Sequence, residues 1–139
     1  MPPRPLSPHL GVYKFMYTMS LSILHRMTGL TASVGFLLFV WWLMALATGH
    51  DAYEGAMQFL ASPVGKLLLV GFTFAFVYHF CNGIRHLVWD TGHGLERAEA
   101  RRSGAIVIVA AVLLTALVVW LGCRAFGLDA GVAPMEIGR

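Results

Sequence analysis

The sequence predicts an all-α integral membrane protein of three transmembrane helices. Three observations predict it: the composition, the length of the apolar runs, and the placement of Lys and Arg. Of 139 residues, 58% are hydrophobic and 12% charged, about half the charged share of a soluble domain. Mean hydropathy is +0.70. A helix needs roughly 20 apolar residues to cross the hydrocarbon, and only helices or closed barrels satisfy their backbone polar groups there. The runs here are continuous rather than alternating, which excludes a barrel.

The predicted spans are about 24–48, 63–90 and 103–126, within a single domain covering 1–139. In the first, Met27 to Thr48 carries no charge, Ser20 or Ser22 can cap the helix, and Gly49 ends it. In the second, Leu67 to Ile84 lies between Lys66 and Arg85. Ser62–Pro63 reads as a cap followed by proline at the first helical position, and Thr91–Gly92 closes the helix. The third is expected to begin near Arg102–Ser103 and to end by Gly127, its apolar run lying between Arg102 and Arg124. Residues 1 to about 20 contain prolines and aromatics and are too polar to span. They are expected to form an arm along the membrane surface. Residues 49–62 read as a connection and 128–139 as a polar tail.

Orientation follows from the basic residues. Arg4, Lys14 and Arg26 lie before the charge-free run of the first span, and Arg85, Arg97, Arg101 and Arg102 lie around the second connection. The first connection holds Asp51 and Glu54. The N-terminus and the second connection are therefore expected on the cytoplasmic side. This asymmetry accounts for the net charge of +3, so no nucleic-acid partner is implied. The opening MPPRPLSPHLGVYKF has neither a secretory nor an import-leader pattern, which fits a bacterial inner-membrane protein. Cys81 and Cys123 sit in different helices without a CxxC or CxxCH motif. Zinc, iron–sulfur and covalent haem sites thus lack their ligands, and the two thiols are expected to be free.

Ionisable groups inside a span usually mark function, and His79 is the clearest case. Counting by fours puts Gly71, Ala75, His79 and Gly83 on one face, with His86 seven residues beyond His79. Two readings stand at this point. An imidazole flanked by small residues suits a flat macrocycle whose iron takes an axial histidine; alternatively, the small residues make a helix contact and His79 bonds to a neighbour. His79 and His86 lie about 10 Å apart along one helix and cannot both ligate one iron. His25, near the start of the first helix, is expected too shallow to oppose His79. A second axial histidine should then come from another chain.

Ser22 and Arg26 share a face at i, i+4. They suit a quinone carbonyl that needs hydrogen-bond donors, or else a snorkelling arginine beside a helix cap. His25 and Arg26, and likewise Arg85 and His86, suit carboxylates such as haem propionates, or else form the basic collar of the inner interface.

Two strings carry a family resemblance: RPLSPHLGVYKF followed by SILHRMTG, and HFCNGIRHLVWDTG. Both resemble the cytochrome b556 membrane-anchor subunits of succinate dehydrogenase, respiratory complex II. The third helix matches only in position and hydrophobicity. The resemblance implies that His79 is the axial ligand to haem b, shared with a second anchor subunit that supplies the other ligand. It implies a ubiquinone site at Ser22 and Arg26, with His25, Arg85 and His86 near the haem propionates. Asp90 is then structural or near the quinone pocket.

The implied function is that of an anchor in an enzyme whose flavoprotein subunit oxidises succinate and whose iron–sulfur subunit passes the electrons inward. The chain alone should have no dehydrogenase activity, since it has no dinucleotide fingerprint and no cysteine cluster. Two rival readings remain: the anchor of a menaquinol-fumarate reductase, and a non-redox membrane protein in which His79 relays protons.

Overall fold

The computed structural model describes residues 16–125 and builds them into four helices with no strand among the described residues. The chain forms α1 (Tyr17–Thr48), α2 (His50–Ala61), α3 (Pro63–Asp90) and α4 (Arg97–Ala125). Helices α1, α3 and α4 are long and apolar enough to cross a membrane, and this is a multi-pass membrane protein. The predicted arm lies, for residues 1–15, outside the described residues, as do residue 126 and the tail.

The helices start earlier than hydropathy suggests. Neither Ser20 nor Ser22 caps α1: it begins after Met16, whose backbone is extended and makes no side-chain cap bond. The first turns persist because tertiary packing supports them. Tyr17 and Leu21 lie over Gly104 of α4, in the space a Cβ there would fill, and Leu21 is buried. Likewise α4 starts at Arg97 rather than at Arg102. Its polar opening Arg97-Ala-Glu-Ala-Arg-Arg consists of strong helix formers, and Ala100 is buried.

The connection after the first span is itself helical. Gly49, at φ +138°, makes the break between α1 and α2, a conformation that glycine adopts without a Cβ penalty. Ala56 of α2 is buried, while Phe59 packs edge-on against Trp41 (5.7 Å) and Tyr53 sits beside Trp42 (6.5 Å). The α2–α3 corner is as predicted: the Gly65 N–H donates to Ser62 Oγ at 3.1 Å, with Pro63 at the first helical position. Gly65 is required there, because a Cβ would strike the Phe59 carbonyl and the Leu60 backbone. Thr91 closes α3, and Gly92 (φ +83°) and Gly94 (φ +77°) turn the chain toward α4.

Helix α3 is central, packed against both α1 and α4. Ala75, Tyr78, Asn82 and Arg85 form its buried stripe. Ala100, Gly104, Val107, Ala111 and Thr115 form that of α4, a small-residue surface that lets membrane helices approach closely. Tyr78 is fully buried against Val107 and Ala111. Both cysteines are free.

Candidate functional site

The polar residues gather where the first turns of α1 meet the last turns of α3. His25 of α1 stacks on His79 of α3, with ring centroids 4.1 Å apart and planes 8° from parallel. Its other neighbour is His86, at 5.1 Å and 48°. His25 thus sits between two imidazoles that α3 places two turns apart. The depth expected for His25, too shallow to oppose His79, is therefore corrected. Because α1 begins at Tyr17, His25 lies eight residues in, about 12 Å along the axis, level with His79. The rings meet face to face, however. A metal bound to imidazole lies in the ring plane along the nitrogen lone pair, so two stacked rings do not oppose each other across one ion.

Hydrogen bonding fixes the state of His79. Its Nδ1 lies 3.1 Å from the His25 carbonyl oxygen. That oxygen only accepts, so Nδ1 carries a proton, and in the neutral ring Nε2 keeps its lone pair. A histidine with one nitrogen tied to a carbonyl and the other free is the arrangement that orients metal ligands. Thr28 reinforces the geometry: its hydroxyl approaches the carbonyls of Leu24 (2.8 Å) and His25 (3.0 Å). Gly29 gives the ring room, since a Cβ there would lie 2.8 Å from His79 Cε1. On the face counted from the sequence, a Cβ at Gly71 or Gly83 would meet nothing within 4 Å, so that face of α3 is open at both glycines. His25 Nδ1 is buried and has no hydrogen-bond partner among the described residues.

Ser22, His25, Arg26 and Gly29 fall at i, i+3, i+4 and i+7, a single stripe of α1. Ser22 and Arg26 are exposed and make no hydrogen bond among the described residues. Ser22 differs in this from Thr28, Thr31, Ser33 and Thr48, whose hydroxyls all return to carbonyls of their own helix. Its donor is available to a ligand.

Arg85 is placed otherwise. Its guanidinium turns to α4, with Nε donating to Ser103 Oγ (2.9 Å) and one terminal nitrogen to the Ala100 carbonyl (2.8 Å). It also lies 3.9 Å over the Trp89 ring, and Trp89 Nε1 donates to the Gly94 carbonyl (2.9 Å). It reaches His86 by hydrogen bonds through Asn82, which lies between the two, and by ring contact through Trp89, which meets His86 edge-on at 5.1 Å. Asp90, the last residue of α3, is exposed and has no partner among the described residues. Thr28, Gly29, Asn82 and Ser103 are the residues the sequence reading passed over. For Asn82 a signal existed in its spacing, i+3 to Arg85 and i+4 to His86.

Residues 1–118 match the family described as succinate dehydrogenase/fumarate reductase transmembrane subunit. The chain belongs to that family. Similar proteins include the succinate dehydrogenase cytochrome b556 subunit of Rickettsia felis, 42% identical over 114 residues that cover 82% of this chain and 89% of the relative. The subunit of that name from Paracoccus denitrificans is 40% identical over 114 residues, 82% of this chain and 88% of the relative. The mitochondrial cytochrome b560 subunit of Sus scrofa is 37% identical over 114 residues, 79% of this chain and 66% of the relative. Of the strings that suggested the family, SILHRMTG lies on α1 and HFCNGIRHLVWD on the facing part of α3, and His25, His79 and His86 within them form the cluster described above.

Proposed function

We propose that this chain is the haem b- and ubiquinone-binding membrane anchor of a succinate:quinone oxidoreductase. The observation that carries the reading is the state of His79: Nδ1–H held by a carbonyl of the neighbouring helix, Nε2 free, and open space beside Gly71 and Gly83. These residues fit a haem, with His79 as axial ligand and with His25 and His86 beside it as donors for its carboxylates. Arg85 supports that end of the molecule through Asn82. Where the iron takes two histidines, the other would come from a second anchor subunit, because His25 is stacked face to face on His79 and His86 lies two turns along the same helix. When bound, the haem provides a one-electron store near the quinone.

Ser22 and Arg26 hold the quinone. Both donate hydrogen bonds to a carbonyl oxygen, and the fixed positive charge of Arg26 favours electron density arriving there. Reduction of ubiquinone to ubiquinol takes two electrons and two protons. The iron–sulfur subunit delivers the electrons, after a flavoprotein subunit has taken them from succinate. The basic residues put this end on the cytoplasmic side of a bacterial inner membrane, facing those soluble subunits, and α2 on the opposite side. The chain contributes no group to succinate oxidation itself.

Purified complex carrying His79→Ala is expected to lose or displace its b-type absorbance band with the chain still inserted, and an unchanged band would remove the ligand assignment. A wild-type complex with no such band would favour a proton-relay histidine instead. Ser22→Ala and Arg26→Leu should each lower quinone reduction, on the order of 100-fold, while succinate oxidation by an artificial acceptor persists. Equal loss of both activities would point to failed assembly. The family description also covers fumarate reductase, so a menaquinol-driven enzyme is the second reading. Comparing ubiquinone-linked succinate oxidation with menaquinol-linked fumarate reduction decides between them.

A further inference from the structure

Asn82 is 1% exposed, one helical turn from His79 and within a stripe otherwise formed by Ala75, Tyr78 and Arg85. An amide is costly to bury unless it is bonded. Its two partners are Arg85, whose terminal nitrogen lies 3.3 Å from Asn82 Oδ1, and His86, whose Nε2 lies 3.4 Å from Asn82 Nδ2. A guanidinium has donors and no acceptor. Arg85 is itself held on α4 by Ser103 and the Ala100 carbonyl, so it decides which way the amide faces: oxygen to Arg85, NH2 to His86. His86 Nε2 must then accept, and the neutral ring carries its proton on Nδ1.

We propose that Asn82 is a positioning residue that holds His86 in the Nδ1–H tautomer, through a chain that begins on α4 and runs Ser103–Arg85–Asn82–His86. Helix α4, which brings no imidazole to the stack, thereby sets which His86 nitrogen donates beside His25. The functional weight of this rests on the haem reading above, whereas the tautomer itself does not.

The test uses the whole complex in lipid, labelled with 15N-histidine, with the His86 signals identified by their absence in His86→Phe. Wild type is expected to show a protonated Nδ1 and a bare Nε2. Asn82→Leu should give a mixture of tautomers. Asn82→Asp, which accepts from Arg85 but cannot donate to His86, should move the proton to Nε2. A wild-type ring protonated on Nε2, or a tautomer indifferent to both substitutions, overturns the proposal. The second readout is the haem reduction equilibrium. Asn82→Leu should shift it by about three- to tenfold, the size of one hydrogen bond, with haem content kept, and should add nothing in the His86→Phe background. An equal shift in both backgrounds would make Asn82 merely structural. Absence of a b-type band would sink the haem reading and leave the tautomer result to stand or fall by itself.

Discussion

The two ends of this bundle are held by different forces. Where α1 begins and α3 finishes, side chains meet through directed bonds: His79 to the His25 carbonyl, Arg85 to Ser103 and Ala100, Asn82 to His86. At the other end, around α2, the contacts are aromatic and apolar: Trp41 on Phe59, Trp42 beside Tyr53, and Phe72 filling the place of a side chain at Gly35. An apolar pocket of about 190 Å³ lies there between Gly35, Trp42, Leu60 and Phe72. Burying donors and acceptors at one end is worthwhile only if each has a partner. Packing by shape asks only for volume and tolerates rearrangement. The chemistry sits at the end where each group constrains the next.

Matched substitutions test that contrast. The largest effect is expected from Gly29→Val, which puts a branched side chain against the His79 ring. Haem content should fall severely, read from the b-type absorbance per complex. Gly35→Ala displaces Phe72 at the other end and should cost about 1–3 kcal/mol of stability with the spectrum unchanged. Should Gly35→Ala disturb the spectrum as much as Gly29→Val, the two ends are not separable. Arg85→Leu comes next. It removes the donor to the Asn82 amide oxygen and leaves the Ala100 carbonyl with Ser103 Oγ as its side-chain donor (3.3 Å), and the stability of the complex to heat should fall by an amount equivalent to about 1–3 kcal/mol. The smallest effect belongs to Glu54→Gln. It alters an exposed contact with His50 on α2 (3.2 Å) and should leave the melting midpoint within measurement error, as exposed pairs contribute little.

Much of the fold was legible in the sequence because hydropathy reports what lipid demands. All three apolar runs became helices, and the Ser62–Pro63 cap stood where its residue types placed it. Hydropathy sees the membrane, though, not the helix. It therefore missed the polar first turns of α1 and α4, which exist because Tyr17, Leu21 and Ala100 pack. It also missed α2, whose Asp51, Glu54 and Gly55 read as a connection. Within the site, the shared face of His79 and His86 followed from counting along one helix. The depth of His25 did not, because it depends on where α1 begins. Asn82 and Thr28 carried no charge to draw notice, and their roles appear only once two helices are laid together.

Arg85 grips α4 partly through the main-chain oxygen of residue 100. Every amino acid brings that oxygen, so the only demand on position 100 is a side chain small enough for the crowded joint, as alanine is here. Relatives could exchange letters along this helix and keep the clasp. What position 100 must bring to the clasp is a contour rather than a functional group.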